Sequence, residues 1–87
     1  MHEWSVIIPL IRAIEAAAKA HRAARVVGAT VAIASSSGLS EEHLCEHFAL
    51  ASRGSIAEGA TLTIEVRLDP SDPPAQGLVL ERIEVTE

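Results

Sequence analysis

Residues 61–68 alternate without a break: Leu62, Ile64, Val66 and Leu68 fall on one side of an extended chain, and Thr61, Thr63, Glu65 and Arg67 on the other. Successive side chains of a strand point to opposite faces, so this pattern describes a half-buried strand with one solvated face. An apolar strand face needs a second layer to cover it. Two upstream segments have the period of that layer. Across residues 4–25, Ile7, Leu10, Ile11, Ile14 and Ala18 recur at three- and four-residue spacing, while Arg12, Glu15, Lys19 and Arg22 take the opposite face. The run Ala16-Ala17-Ala18 has high helix propensity. Ser5 is the predicted cap, and Lys19, His21, Arg22 and Arg25 gather where the helix dipole favours positive charge. Pro9 has no amide proton to donate, so this helix is expected to begin near Ile8 or to bend there. Ser40 followed by Glu41 and Glu42 opens a second helix, with Leu44, Phe48 and Ala51 as its buried stripe and Gly54 as its stop.

Between the helices, residues 26–34 are small or β-branched. Val31 and Ile33 face one way, and Thr30, Ala32 and Ala34 the other. Ser35-Ser36-Ser37-Gly38 ends that strand. Asp69-Pro70-Ser71-Asp72-Pro73-Pro74-Ala75-Gln76-Gly77 reads as a loop, and residues 78–85 as a last strand. The order is helix, strand, helix, strand, strand. A strand–helix–strand unit places its strands parallel with a right-handed crossover. The last two strands, nine loop residues apart, are expected to be antiparallel neighbours. The predicted architecture is a two-layer α/β fold, a small mixed three-stranded sheet with two helices on one face. Its two sheet edges offer a route to a homodimer.

At 87 residues the chain fits one domain, 1–87. Seven Lys and Arg against twelve Asp and Glu leave a formal charge of −5, the wrong sign for a protein that tracks nucleic-acid phosphates. No apolar run approaches the roughly 18–20 residues of a membrane span. The start Met1-His2-Glu3 lacks the basic region and apolar core of a secretory signal, so a cytoplasmic location is expected. The single cysteine, Cys45, excludes an internal disulfide and any Cys-x-x-Cys zinc knuckle.

Four histidines and Cys45 are the soft or borderline ligands of the sequence. His2 stands out among them. A free α-amine, the residue-2 backbone nitrogen and its imidazole chelate one ion through fused small rings. Such planar nitrogen sets suit Ni(II) or Cu(II) rather than Zn(II). Glu3 can complete the site through its amide nitrogen or carboxylate. The initiator methionine is removed mainly before small residues, and His2 is not small. His43 and His47, four apart on one helix, can share a metal or form a solvated flank opposite Leu44 and Phe48, with Glu46 beside them. His21 reads as a surface residue at a helix end. Cys45 has no activating signature around it and reads as a packed thiol. The serine run lacks a nucleophile elbow, and Gly28, Gly38, Gly54, Gly59 and Gly77 form no phosphate loop, so no enzyme active site is legible.

The start Met1-His2-Glu3-Trp4-Ser5 ahead of an amphipathic helix resembles the HypA/HybF nickel metallochaperones of [NiFe]-hydrogenase and urease maturation. So does Phe48-Ala49-Leu50-Ala51-Ser52-Arg53-Gly54-Ser55-Ile56-Ala57-Glu58-Gly59-Ala60 with the strand Thr61-Leu62-Thr63-Ile64-Glu65, and so does the closing Leu80-Glu81-Arg82-Ile83-Glu84-Val85. The resemblance implies an amino-terminal nickel site made by the Met1 α-amine, the His2 imidazole and amide, and the Glu3 amide or carboxylate. It implies a carrier that receives Ni(II) as cargo, docks on a GTPase maturation partner or a hydrogenase large-subunit precursor, and releases the ion. Family members also carry a zinc module with two Cys-x-x-Cys pairs before the last strand. Here residues 69–77 stand in its place without a cysteine, and no zinc is expected. Ser35-Ser36-Ser37 and Glu46 also depart from the family pattern. The alternative implied by these departures is a metal-free adaptor or dimerisation module of a hydrogenase system that keeps the family fold.

Overall fold

In the computed structural model, residues 3–34, 38–67 and 78–86 are described, without the side chains of Glu3 and Arg67. The elements are α1 (Glu3–Ala20), β1 (Arg25–Ala34), α2 (Glu41–Ala51), β2 (Thr61–Arg67) and β3 (Leu78–Thr86), in the predicted order. Leu68 and the loop 69–77 lie outside the described residues.

The sheet order is β2-β1-β3, with β1 parallel to β2 and antiparallel to β3. The parallel pair is the one expected. The expected β2–β3 neighbourhood is not formed; β3 instead takes the free edge of β1. Burial explains the choice. From Val26 to Ala34 every residue of β1 except Val27 is buried, so both rows of its backbone groups need partners away from water. β2 and β3 carry the charged residues Glu65, Arg82 and Glu84, which an edge strand tolerates.

The two faces of β1 are filled differently. Ala29, Val31 and Ile33 join the core, together with Val26 beyond an irregularity in the β3 pairing between Val26 and Gly28. Val27, displaced by that bulge, is exposed. Thr30, Ala32 and Ala34 point the other way, as the alternation predicts, and are buried too. Their smallness lets flanking side chains close over them. The Glu84 carboxylate lies 3.2 Å from where a Cβ on Gly28 would stand. Arg82 and Glu65, partners of Thr30 and Ala32 on opposite edges, approach to 4.0 Å. That exposed pair contributes little energy by itself. A second register shift, between Thr30 and Val31, accommodates the consecutive polar residues Glu81 and Arg82 and returns Ile83 to the core side.

Both helices pack on the other face. Ile7, Leu10, Ile11, Ile14 and Ala18 of α1 are all buried, joined by Val6. The helix begins at Glu3, runs through Pro9, and contains Ser5 in its first turn, so neither a start near Ile8 nor the Ser5 cap is realised. The competing magnitudes account for this. A proline inside a helix costs about 3 kcal/mol, whereas full burial of Val6 and Ile7 is worth about 1.5–3 kcal/mol each. The helix also stops at Ala20 rather than near Arg25. Arg22 takes a left-handed conformation with φ 53°. Its N–H donates to the Lys19 carbonyl at 3.1 Å, and the Ala23 N–H to the Ala18 carbonyl at 2.9 Å, closing the helix in a Schellman motif.

Ser40 caps α2 as expected, its hydroxyl accepting from the His43 N–H at 3.3 Å, and Leu44 and Phe48 are buried. The turn after α2 holds itself together. Gly54, at φ 77°, donates its N–H to the Glu58 carboxylate at 3.0 Å, and Ser55 bonds through its hydroxyl to the Ser52 carbonyl and the Ala57 N–H. Arg25 donates to the Glu58 carbonyl and the Val26 N–H to the Ile56 carbonyl, both at 3.0 Å, which ties the turn to the start of β1. Ala57 is buried beneath it.

Two substitutions test this packing with opposite signs. Phe48→Ala should cost about 3–5 kcal/mol in urea unfolding, a large part of the roughly 4–13 kcal/mol expected for a domain of this size. Arg22→Gly should raise the urea midpoint by a stabilisation on the order of 1 kcal/mol, since glycine bears no penalty at positive φ.

Candidate metal centre

Of the three residues expected to bind nickel, Met1 and His2 lie outside the described residues. Glu3 is the first residue of α1. The first four N–H groups of a helix have no intrahelical acceptor, so the Glu3 amide is free of the helical ladder. This is the property an amide needs if its nitrogen is to lose a proton to a metal.

One residue further on, Trp4 lies against α2. Its ring stacks on His47 with centroids 4.7 Å apart and planes 18° from parallel. His43 follows in the same direction, its ring 6.4 Å from His47 at 25°. The α1 start and the histidine face of α2 are therefore adjacent. The reading of His43 and His47 as a flank opposite Leu44 and Phe48 holds for His43, which is exposed, but not for His47, which is half-buried. Helical spacing gives the reason: His47 is three residues from Leu44 and four from Ala51, at the margin of the buried stripe. The Nδ1 atom of His47 is buried and has no hydrogen-bond partner among the described residues. Sequence reasoning missed the Trp4 contact. Its signal was that Trp4 shares the α1 stripe with Ile7 and Ile11.

Cys45 projects away from these rings. Its Sγ lies 3.9 Å from the Leu62 carbonyl oxygen of β2, and the residue is exposed rather than packed in the core. Partial burial and, after it, the negative charge of Glu41 push the thiol above its ordinary pKa. A nucleophilic cysteine needs the opposite shift. Among the described residues, no group of three or more His, Cys, Asp and Glu is placed to hold a metal ion. Alkylation by iodoacetamide should be slower at pH 8 than for an unstructured peptide thiol, with its pH midpoint displaced upward. Glu41→Gln should recover only part of the difference, burial being the larger cause.

The family described as "Hydrogenase/urease nickel incorporation, metallochaperone, hypA" matches residues 1–69. Hydrogenase maturation factor HypA of Xanthobacter autotrophicus is 42% identical over 64 residues, covering 74% of this chain and 57% of that protein. Its counterpart in Chlorobium limicola is 35% identical over 65 residues, covering 75% and 56%. The chain thus spans little more than half the length of these relatives. The solution structure of the Ni metallochaperone HypA from Helicobacter pylori superposes with a TM-score of 0.81 at 18% identity, covering 99% of this chain and 98% of that one. That likeness shows the shared two-helix, three-strand fold, and the family match extends from the first residue through α1, β1, α2 and β2. The chain belongs to the HypA family of hydrogenase and urease nickel metallochaperones.

Proposed function

We propose that the chain is a cytoplasmic nickel carrier that takes up Ni(II) at its amino terminus and delivers it during [NiFe]-hydrogenase maturation. The observation that carries this reading is the conjunction of family membership with the sequence Met1-His2-Glu3 leading directly into α1. In this reading the Met1 α-amine, the His2 amide and imidazole, and the Glu3 amide supply the donors, with the Glu3 carboxylate as an alternative to its amide.

The chemistry is consistent with a carrier. The amino end of a helix carries a partial positive charge that opposes a cation. Two amides that lose their protons compensate the charge of Ni(II), so the opposition is modest. A proton must leave each coordinating amide and return on release, which couples transfer to protonation. The ion is cargo, and donors drawn from the first three residues of the chain suit hand-over to an acceptor. Nothing in this role calls for a catalytic residue, and the raised Cys45 pKa agrees.

The 87 residues form one nickel-binding-type domain in this reading, with residues 69–77 where the family's zinc module would stand and only Cys45 as a thiol ligand. The proposed acceptors are a GTPase maturation partner or a hydrogenase large-subunit precursor. A homodimer through a sheet edge is compatible with transfer. Calorimetry of untagged protein should find an Ni(II) binding event that requires the free Met1 amine, with loss of that event on adding one residue before Met1 or on His2→Ala. Unchanged affinity in both variants would overturn the amino-terminal site and favour the metal-free adaptor.

A further inference from the structure

The histidine face of α2 has features that neither the core nor the amino-terminal donors use. His43 and His47 are successive on one side of the helix, their rings 6.4 Å apart and 25° from parallel. His47 is held in place by the Trp4 stack at 4.7 Å. Its Nδ1 is buried without a partner among the described residues, a condition that costs about 1–3 kcal/mol for an ordinary polar atom. Turning the imidazole by half a turn about Cβ–Cγ keeps the ring plane and the stack while exchanging Nδ1 with Cδ2. A carbon then occupies the dry position, and the nitrogen is released for a ligand.

We propose that His43 and His47 form a two-imidazole site for a borderline divalent cation, Ni(II) or a metal of like preference, on α2 and independent of the amino-terminal chelate. Imidazole suits nickel, copper and zinc, and histidines four apart on a helix share one ion. Metal–nitrogen bonds of about 2.0–2.1 Å put two adjacent ligand rings roughly 4.5–5 Å apart between centroids. From 6.4 Å and 25° from parallel, His43 must swing inward by about 1.5–2 Å and turn its ring so that both ring planes meet at the ion, and as an exposed side chain it is free to do so. His47 needs only that half turn, within the plane that the Trp4 stack fixes. Water completes the coordination, so the site is weaker and faster to exchange than a closed protein site. Beside the α1 start, it serves as a waiting position for an ion entering or leaving the carrier.

The test uses the full chain with Gly-Ser added before Met1 and with His2→Ala, which removes the amino-terminal donors. NiCl2 titration followed by calorimetry and by Trp4 fluorescence should show one bound ion and quenching of the indole, since the paramagnetic ion sits one ring away. His43→Gln, an exposed change that leaves the Trp4 stack intact, should weaken binding at least tenfold, and adding His47→Gln should abolish it with the circular dichroism unchanged. No nickel binding in the extended chain, or equal binding in the double variant, would overturn the proposal. The double variant on the unextended chain separates the two sites: retained stoichiometric binding there supports independence, and its loss overturns independence.

Discussion

The double burial of β1 is the constraint on which the other elements depend. A central strand with water excluded from both faces needs hydrogen-bonding partners on each edge and a covering on each side. The edges are met by β2 in parallel and β3 in antiparallel pairing. One face, built from Val26, Ala29, Val31 and Ile33, is large enough to anchor two helices. The other, built from Gly28, Thr30, Ala32 and Ala34, is small enough for the flanking strands' own side chains to close over it. Among the described residues, the helices cover one side of the sheet only.

From this follows the placement of the start of α1. α1 and α2 share the β1 core face through Ile7, Ile14, Leu44 and Phe48, so their surfaces meet above it. The turn from Ser52 to Ala60 is bound to the start of β1 by Arg25 and Val26 and fixes where α2 ends. With both helices fixed, Trp4 rests on His47, and Glu3, one of the residues proposed to hold nickel, opens a helix whose course is set by the core.

Much of this was legible in the sequence because periodicity reports burial directly. The α1 stripe of Ile7, Leu10, Ile11, Ile14 and Ala18, the opposed faces of β1, the Ser40 cap and the Leu44 and Phe48 anchors follow from spacing and residue type. Pattern failed where tertiary energy outweighed local preference. Pro9 argued for a later helix start, but burial of Val6 and Ile7 carries the helix past it. The wish to pair β2 with β3 rested on a short connection, whereas burial of both β1 edges decides strand order. The Schellman closure at Arg22 was hidden because arginine gives no signal for positive φ. For the candidate nickel site, residue chemistry singled out His2 with its donor set, and the resemblance implied the same residues. The adjacency of Trp4 and His47 required two helices to be docked, which no single-segment pattern reports.

If deprotonated backbone nitrogens at the amino terminus hold nickel, the coordination geometry of one equivalent of Ni(II) on the untagged chain, read by electronic absorption and proton NMR, reports it. Strong-field amide donors predict a planar, diamagnetic ion with a visible ligand-field band and sharp NMR lines. An octahedral, paramagnetic ion whose spectrum is unchanged when the amine is blocked would contradict it.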